Sequence, residues 1–336
     1  MQVDDDGAPR RGELESDAAS VTTRMPPRDS RLRTRDFVSA SNSCSSAGRD
    51  REATTMRSSE ASGDRSAELR ACVGGVPMRW LQSGAGPAVV LVHGIPTSPE
   101  LWRHVLPRAG GARLLAWEMV GYGRSWRAGT ERDISLRAQA DHLDRWMEHV
   151  GVERAVLVGH DLGGGVVQIL ATRRRERCAG LVLVDAVAYD SWPIPSVRAL
   201  RALGGVLGWT PQPAFRAVLG ALLRRDHDDR ARAAESVRAH WLGYGHRQGR
   251  AVFLRQIRSL RTQDTLEIAG ELTRLDVPAT VVWGAEDPFH KLSYGRRLAS
   301  DLHAQLDAVA GARHFVPEDH PERVARAISG VLARVD

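Results

Sequence analysis

The chain has 336 residues, 42% of them apolar, which is enough for one large or two modest domains. Its formal net charge of +6 is a small surplus whose basic residues form only short runs, such as those at 173–175 and 224–225, which argues against nucleic-acid binding. No apolar run approaches the roughly 20 residues that a membrane-spanning helix requires, so we expect no membrane association.

The amino-terminal segment, residues 1–67, mixes Ser, Arg, Asp, Glu and Pro and has no periodic apolar stripe. A segment of this composition buries too little apolar surface to offset the entropy lost on ordering, so we predict that it is disordered. The three cysteines, Cys44, Cys72 and Cys178, lie at no metal-like spacing. They indicate a reducing compartment without a disulfide framework, and we expect a cytoplasmic protein.

From residue 68, short apolar runs alternate with longer amphipathic segments. Residues 69–73 and 76–81 predict a hairpin that turns at two consecutive glycines. Residues 134–150 predict an amphipathic helix. Further buried strands are predicted at residues 87–92, 113–117, 155–158, 181–184, 279–283 and 306–310. Strands separated by helices indicate a mainly parallel sheet with helices on both faces.

This alternation of strands and helices stops between about residues 190 and 265, where helical patterns take over. The aromatic residues of this stretch either line a substrate pocket or only hold the stretch to the rest of the protein: Trp192, Trp209, Phe215, Trp241 and Phe253. The run Asp226-His227-Asp228-Asp229 has candidate metal ligands, but they are consecutive and no partner cluster is visible, so we predict a charged loop and no metal site.

One glycine-rich turn organises the chain. The run Gly159-His160-Asp161-Leu162-Gly163 follows a predicted strand and leads into a predicted helix. Its Gly-x-Asp-x-Gly spacing copies the Gly-x-Ser-x-Gly nucleophile elbow, in which glycines let the backbone turn tightly and present one side chain above the sheet edge. An ordinary helix start that packs closely or binds an anion is the alternative interpretation. The Gly-x-Gly-x-x-Gly order of a dinucleotide site is absent.

Three more motifs lie at predicted strand ends. His93-Gly94-Ile95-Pro96 follows the first buried strand, and Asp287 comes shortly after the strand that ends at Trp283. Near the carboxyl terminus, His314 lies in the run Gly311-Ala312-Arg313-His314-Phe315. The chain order is therefore nucleophile, acid, histidine.

Together these motifs resemble the α/β-hydrolase fold, in particular its aspartate-nucleophile branch of epoxide hydrolases and haloalkane dehalogenases. The resemblance covers residues 88–334. It implies a catalytic triad of Asp161, Asp287 and His314, and an oxyanion hole from the amides of Ile95 and Leu162. It further implies a hydrolase core at residues 68–190 and 266–336, with a helical cap at residues 191–265.

In that family an aspartate nucleophile forms an alkyl-enzyme ester, which a histidine-activated water then hydrolyses. The resemblance thus implies a small apolar organic substrate and water, without a cofactor or a metal. As candidate substrate-binding residues we select four side chains: His93, Tyr189, Trp192 and Tyr244.

The leaving group separates the two activities of the branch. A departing halide needs N–H donors, in the dehalogenases usually a tryptophan directly after the nucleophile and an asparagine in the oxyanion loop. Here these positions are Leu162 and Ile95. An opening epoxide needs an acidic O–H donor, usually a cap tyrosine, and the cap region has Tyr189 and Tyr244. Epoxide hydrolysis is therefore our first hypothesis and dehalogenation the alternative.

A hypothesis of another class is a non-catalytic small-molecule binder on the same fold. Such a binder would not need Asp161, Asp287 and His314 together. The oligomeric state is not predicted by any feature of the sequence.

Overall fold

A computed structural model describes residues 66–202 and 204–335. The predicted disordered segment therefore lies outside the described residues, except for its last two positions. Within the described part, eight strands form one sheet in the order β1-β2-β4-β3-β5-β6-β7-β8. The strands are β1 Ala67–Val73, β2 Val76–Ser83, β3 Ala88–Val92, β4 Arg113–Trp117, β5 Ala155–His160, β6 Cys178–Val184, β7 Ala279–Gly284 and β8 Gln305–Val309.

The first two strands form the predicted hairpin and pair antiparallel, and β2 also pairs antiparallel with β4. From β4 to β8 all neighbours are parallel. The central strands β5 and β6 are buried along their whole length, because helices cover both faces of the sheet. The predicted sheet architecture is thus confirmed. Parallel strands end at the same edge, so the loops after β3, β5, β7 and β8 meet there.

Twelve α-helices lie in the described part of the chain. They are α1 Leu136–His149, α2 Leu162–Arg173, α3 Pro195–Ala202, α4 Gly204–Trp209, α5 Gln212–Arg225, α6 Arg230–Trp241, α7 Gly249–Ser259, α8 Gln263–Leu266, α9 Ala269–Leu272, α10 Leu292–Asp301, α11 Val316–Asp319 and α12 Pro321–Leu332. The predicted helix at 134–150 is α1. It begins after the N-cap Ser135, whose side chain accepts a hydrogen bond from the amide of Ala138.

The glycines of the elbow allow α2 to begin directly against the sheet. A Cβ atom on Gly163 would overlap the backbone carbonyl of Val92 at the end of β3. One on Gly164 would overlap the side chain of Ala186. These contacts set the close approach of α2 to β3, and with it the position of the turn at Asp161.

We therefore expect Gly163→Ala to destabilise the protein by about 1–3 kcal/mol or more, because a backbone carbonyl cannot move aside cheaply. Chemical denaturation measures this change in the free energy of unfolding. Gly330→Ala is the matched control, since a Cβ there meets nothing within 4 Å. In helix α12 that substitution should stabilise by about 0.5–1 kcal/mol. Equal stabilities for the two variants would contradict the packing argument.

Helices α3 to α7 lie between β6 and β7, in the region predicted as the cap. They have an apolar cluster of their own, which consists of Phe215, Leu219, Tyr244, Val252, Phe253, Leu254 and Ile257. This region is tied to the sheet-bearing part of the chain by the buried Glu318 of α11. Its carboxylate contacts His227 and His240, each at 3.2 Å, and Arg103. The assignment of residues 191–265 as a cap domain stays a prediction.

Two further expectations concern the whole chain. Cys72 is disulfide-bonded, which the cysteine spacing did not predict, whereas Cys178 is free and buried. None of the helices in the described residues is long and apolar enough to cross a membrane.

Candidate active site

Asp161 occupies the corner between β5 and α2. Its backbone has φ 50° and ψ −120°, a left-handed conformation that is rare for a residue other than glycine. Backbone hydrogen bonds to the neighbouring strand and to the segment after it hold the strained corner, from the amide of Asp161 to Val184 at 3.3 Å and from the amide of Val187 to Asp161 at 3.1 Å. The carbonyl of Asp161 also accepts the amide of Gly164 at 3.0 Å, in the first turn of α2. A strained turn persists only where its surroundings determine it, and such turns cluster at functional sites.

The carboxylate of Asp161 is held on both oxygens. The backbone amide of Ile95 donates to Oδ2 at 2.9 Å, as expected of an oxyanion-hole donor. Leu162, the second predicted donor, is the first residue of α2. The other oxygen, Oδ1, lies 3.3 Å from Nε2 of His290, a residue that the sequence analysis did not select.

The predicted acid and histidine lie together. Nδ1 of His314 donates to Oδ2 of Asp287 at 2.9 Å. Oδ1 of Asp287 accepts the backbone amides of Phe289 at 2.6 Å and His290 at 3.0 Å, which fix the carboxylate in the loop after β7. Because Nδ1 of His314 is occupied by Asp287, its Nε2 is available for chemistry.

Charge couples the three predicted triad residues. Burial alone would lower the pKa of His314, but the carboxylates of Asp287 and then Asp161 outweigh it and raise the pKa to about 10. Burial would raise the pKa of Asp287, yet the charge of His314 brings it to about 2. Burial likewise opposes ionisation of Asp161, but the hydrogen bond from His290 and the charge of His314 leave its pKa lowered. The resting site therefore has two carboxylates and an imidazolium.

Two histidines missed by the sequence analysis support this arrangement. His290 follows Asp287 by three residues, and its Nε2 must carry the proton because an ionised carboxylate only accepts. His160 precedes Asp161, and its Nε2 bonds to the backbone carbonyl of His314 at 2.9 Å. Burial lowers the pKa of His160 to about 3, so the ring is a neutral donor. The sequence feature that could have identified these two histidines is their position close to Asp287 and Asp161.

Asp161 lies in a cavity of about 90 Å³ between the sheet edge and the cap region. Since about 10–15 Å³ on this scale holds one water, the cavity suits a small ligand. Its polar lining residues are Asp161, Asp226, His290 and His314. All the others are apolar. Trp192 and Phe253 are among them, whereas Trp209 is 90% exposed.

Three of the four selected substrate-binding residues lie outside the lining of this cavity. His93 is fully buried and uses both ring nitrogens on the backbone, with Nδ1 donating to Gly94 and Nε2 accepting from Met119. The hydroxyl of Tyr189 donates to Asp301 at 2.6 Å, and that of Tyr244 donates to Gln256 at 2.7 Å. Their geometry supports packing roles, because their polar atoms are already paired.

The fourth, Trp192, lines the cavity with its ring. Its indole N–H, however, donates to Oγ1 of Thr265 at 2.8 Å and is not free for a ligand. Trp192 is therefore an apolar wall in this arrangement.

The predicted charged loop at residues 226–229 requires a correction. Asp226 and His227 are buried, whereas Asp228 and Asp229 are exposed. Asp226 lines the cavity, and neither of its carboxylate oxygens has a hydrogen-bond partner among the described residues. The sequence did not show which of these residues are buried, because four consecutive polar residues have no hydrophobic periodicity.

The ligand atoms of Asp161, His290 and His314 lie within 4.8 Å of one another, so we tested whether they suit a metal ion. A metal binds neutral imidazole, but the carboxylates beside His314 keep it protonated. Nε2 of His290 is also committed to Asp161 as a proton donor. The donor set does not fit a cation, and the absence of a metal stays our prediction.

A strand-to-helix elbow with a carboxylate, an acid after β7 and a histidine after β8 define an α/β-hydrolase-type site. The alpha/beta hydrolase fold family matches residues 87–321, and the chain belongs to this family. The prediction of an α/β-hydrolase fold and of a hydrolase is thereby confirmed.

Two curated relatives and one solved structure illustrate the similarity. Haloalkane dehalogenase 2 of Mycobacterium tuberculosis is 28% identical over 275 residues, which cover 75% of this chain and 90% of the relative. The soluble epoxide hydrolase of Corynebacterium sp. (strain C12) is 28% identical over 277 residues, 76% of this chain and 93% of the relative. An alpha/beta hydrolase fold protein from Burkholderia ambifaria superposes with a TM-score of 0.72 at 26% identity, covering 79% and 97% of the two chains.

Proposed function

We propose that the protein hydrolyses small epoxides through a covalent ester on Asp161. The observation that carries the proposal is an ionised carboxylate at the elbow, held on Oδ2 by the Ile95 amide, in an apolar cavity that also contains His314. An ionised carboxylate needs no base to attack saturated carbon. The apolar walls favour an uncharged organic substrate.

The first step forms the ester. Oδ1 of Asp161 attacks an epoxide carbon and the carbon–oxygen bond of the ring breaks. This step removes the negative charge of Asp161, one of the charges that raise the pKa of His314. The pKa of His314 therefore falls when the ester forms, which makes the imidazole a usable base only after alkylation.

The second step hydrolyses the ester. Nε2 of His314 takes a proton from water, whose oxygen attacks the ester carbonyl of Asp161. The amide of Ile95 then stabilises the oxyanion, and loss of such a donor typically lowers the rate about 10²–10³-fold. The products are a vicinal diol and the regenerated carboxylate.

The hydrogen-bond donors that the cavity offers to a leaving group favour an epoxide over a haloalkane as substrate. A halide leaves as an anion and needs N–H donors, but the indole of Trp192 is paired with Thr265 and the residue after the nucleophile is Leu162. Two of the four polar residues of the cavity are carboxyls, Asp161 and Asp226, and a carboxyl offers no N–H to a departing halide. An epoxide oxygen instead accepts a proton as it leaves.

Dehalogenation remains the second candidate, because Haloalkane dehalogenase 2 and the soluble epoxide hydrolase are equally similar to this chain. A panel of short-chain terminal epoxides and of bromoalkanes with matched carbon skeletons separates the candidates. We expect diol formation with kcat/KM well above that of halide release.

Diol is measured by chromatography and halide by ion analysis on the same enzyme preparation. If halide release is faster than diol formation across the panel, the proposed substrate is a haloalkane and not an epoxide. If both products are absent while ligands raise the melting temperature, the protein is a non-catalytic binder.

A further inference from the structure

A buried carboxyl without a partner marks the wall of the cavity. Asp226 is 0% exposed, and both carboxylate oxygens lack a hydrogen-bond partner among the described residues. Its closest ion-pair contact is Nε of Arg225 at 3.9 Å, on a side chain that is 61% exposed. An isolated buried carboxylate is unfavourable, so a partner must come from outside the protein or the group must hold a proton.

The location of Asp226 increases this penalty. It caps the carboxyl-terminal end of α5, where the helix dipole is negative and disfavours an anion. The backbone contributes nothing to the carboxyl, since the amide and carbonyl of Asp226 bond to Leu223 and Phe315. Burial raises the pKa of Asp226 to about 6, although the charges of His314 and Arg225 act in the opposite direction. A protonated form is therefore accessible near neutral pH.

Besides Asp226, the polar lining of the cavity holds one acidic N–H, the imidazolium of His314, which acts in the hydrolysis step of the proposed mechanism. The lining residues supply no further acidic donor for an epoxide oxygen. Tyr189 and Tyr244 lie outside its lining, and their hydroxyls are paired. His290 is committed to the nucleophile through Nε2. Asp226 is the one polar lining residue that contacts neither the nucleophile nor the acid–histidine pair among the hydrogen bonds of the described residues.

We propose that Asp226 is the catalytic acid that protonates the leaving oxygen of the epoxide. This inference rests on the proposed function and adds the group that opens the ring. As Oδ1 of Asp161 bonds to carbon, the ring carbon–oxygen bond breaks, its electron pair moves to oxygen, and the carboxyl proton of Asp226 transfers there. The result is a 2-hydroxyalkyl ester on Asp161 and an ionised Asp226.

Hydrolysis restores both groups. His314 first releases its proton to solvent, because esterification has removed the charge of Asp161 that helped to raise its pKa. Water then adds to the ester carbonyl and gives a proton to His314, which passes it to the departing diol oxygen. The imidazole takes a proton back from solvent once Asp161 is ionised again. Asp161 is released as a carboxylic acid, and its proton returns Asp226 to the acid form. The overall reaction converts one epoxide and one water into one diol, so no further reactant is needed.

The test uses Asp226→Asn in the His314→Gln background, where hydrolysis is blocked and only ester formation is observed. Quenched-flow mass spectrometry follows the ester with a short-chain terminal epoxide. We expect Asp226→Asn to slow ester formation about 10²–10⁴-fold, as for loss of a general acid. The loss should shrink for a trifluoromethyl-substituted epoxide, since its opened oxygen is less basic. Asp229→Asn is the control, because it lies outside the cavity lining and asparagine also caps α6.

The pH profile gives a second readout. Ester formation should fall as pH rises above the pKa of Asp226, because the acid form is required. His314, Arg225 and His227 lower this pKa, and Asp287 raises it. The His314→Gln background removes one of the cations, so the fall should begin above pH 6. In the Asp226→Asn variant, the rate of ester formation should no longer fall over this pH range.

An unchanged rate in Asp226→Asn would overturn the inference and leave the proposed function standing. An equal loss for both epoxides with the same pH profile would also overturn it, since that pattern indicates a structural role. Absence of ester with Asp226 intact would remove the proposed function and this inference with it. Asp226→Asn should melt no lower than its parent, because a neutral amide replaces an unpaired buried acid.

Discussion

Replacing His314 with Gln is expected to leave a stable covalent ester on Asp161 after incubation with a short-chain epoxide. Glutamine removes the base and retains a polar side chain beside Asp287. Ester formation needs no base, whereas hydrolysis needs a proton acceptor for water. Intact-mass spectrometry should show an increase equal to the full mass of the epoxide. A haloalkane would instead add its mass less that of the hydrogen halide.

The pH dependence of the wild-type enzyme follows from the same charges. Carboxylates at Asp287 and Asp161 overcome burial and hold the pKa of His314 at about 10 in the free enzyme. Esterification neutralises Asp161, so the pKa of His314 falls. Hydrolysis of the ester should accelerate as pH rises towards this lowered pKa, because only neutral imidazole accepts the proton. Single-turnover measurements on preformed ester test this direction.

His149→Gln is the control for the substitution at His314, since His149 is exposed at the end of α1. It should turn over normally without an adduct. Peptide mapping should place the adduct of the His314 variant on the peptide that contains Asp161. Normal turnover by the His314 variant, or an adduct on another residue, would contradict the mechanism.

The sequence was sufficient to predict the sheet and to expect Asp161, Asp287 and His314 at one edge of it. Apolar runs identify buried strands, and parallel strands bring their carboxyl ends to one edge, so Asp287 and His314 were expected beside Asp161. The glycines around Asp161 predicted the tight turn between β5 and α2. Gly163 and Gly164 are required where α2 contacts backbone and side-chain atoms of the sheet.

The cavity wall was not predictable in the same way. Which cap-region side chains face Asp161 depends on how helices α3 to α7 pack against the sheet, and this packing is set by contacts distant in sequence. Tyr244 was a reasonable proton donor by residue type, yet it pairs with Gln256 in the cap-region cluster. Asp226 was placed in a charged loop, although it is fully buried.

His290 illustrates an intermediate case. Its position three residues after Asp287 was visible, but an Asp-Pro-Phe-His run is also a normal loop sequence. Only the fold shows that the backbone amide of His290 bonds to Asp287 while its ring contacts Asp161. A single residue thus links Asp287 to Asp161.

Asp161→Asn is expected to abolish ester formation and to lower turnover by about 10⁴-fold or more, as for loss of a covalent nucleophile. Asparagine tolerates the positive φ of the corner, so the fold should persist. Loss of the Asp161 charge should also lower the pKa of His314 below its wild-type value of about 10, since that carboxylate contributes to the rise. An NMR titration of the imidazole measures this change without substrate. Asp141→Asn is the control, since Asp141 is exposed, and it should leave turnover and the His314 titration unaltered. If an Asp161→Asn variant verified by mass still turns over substrate, Asp161 is not the nucleophile.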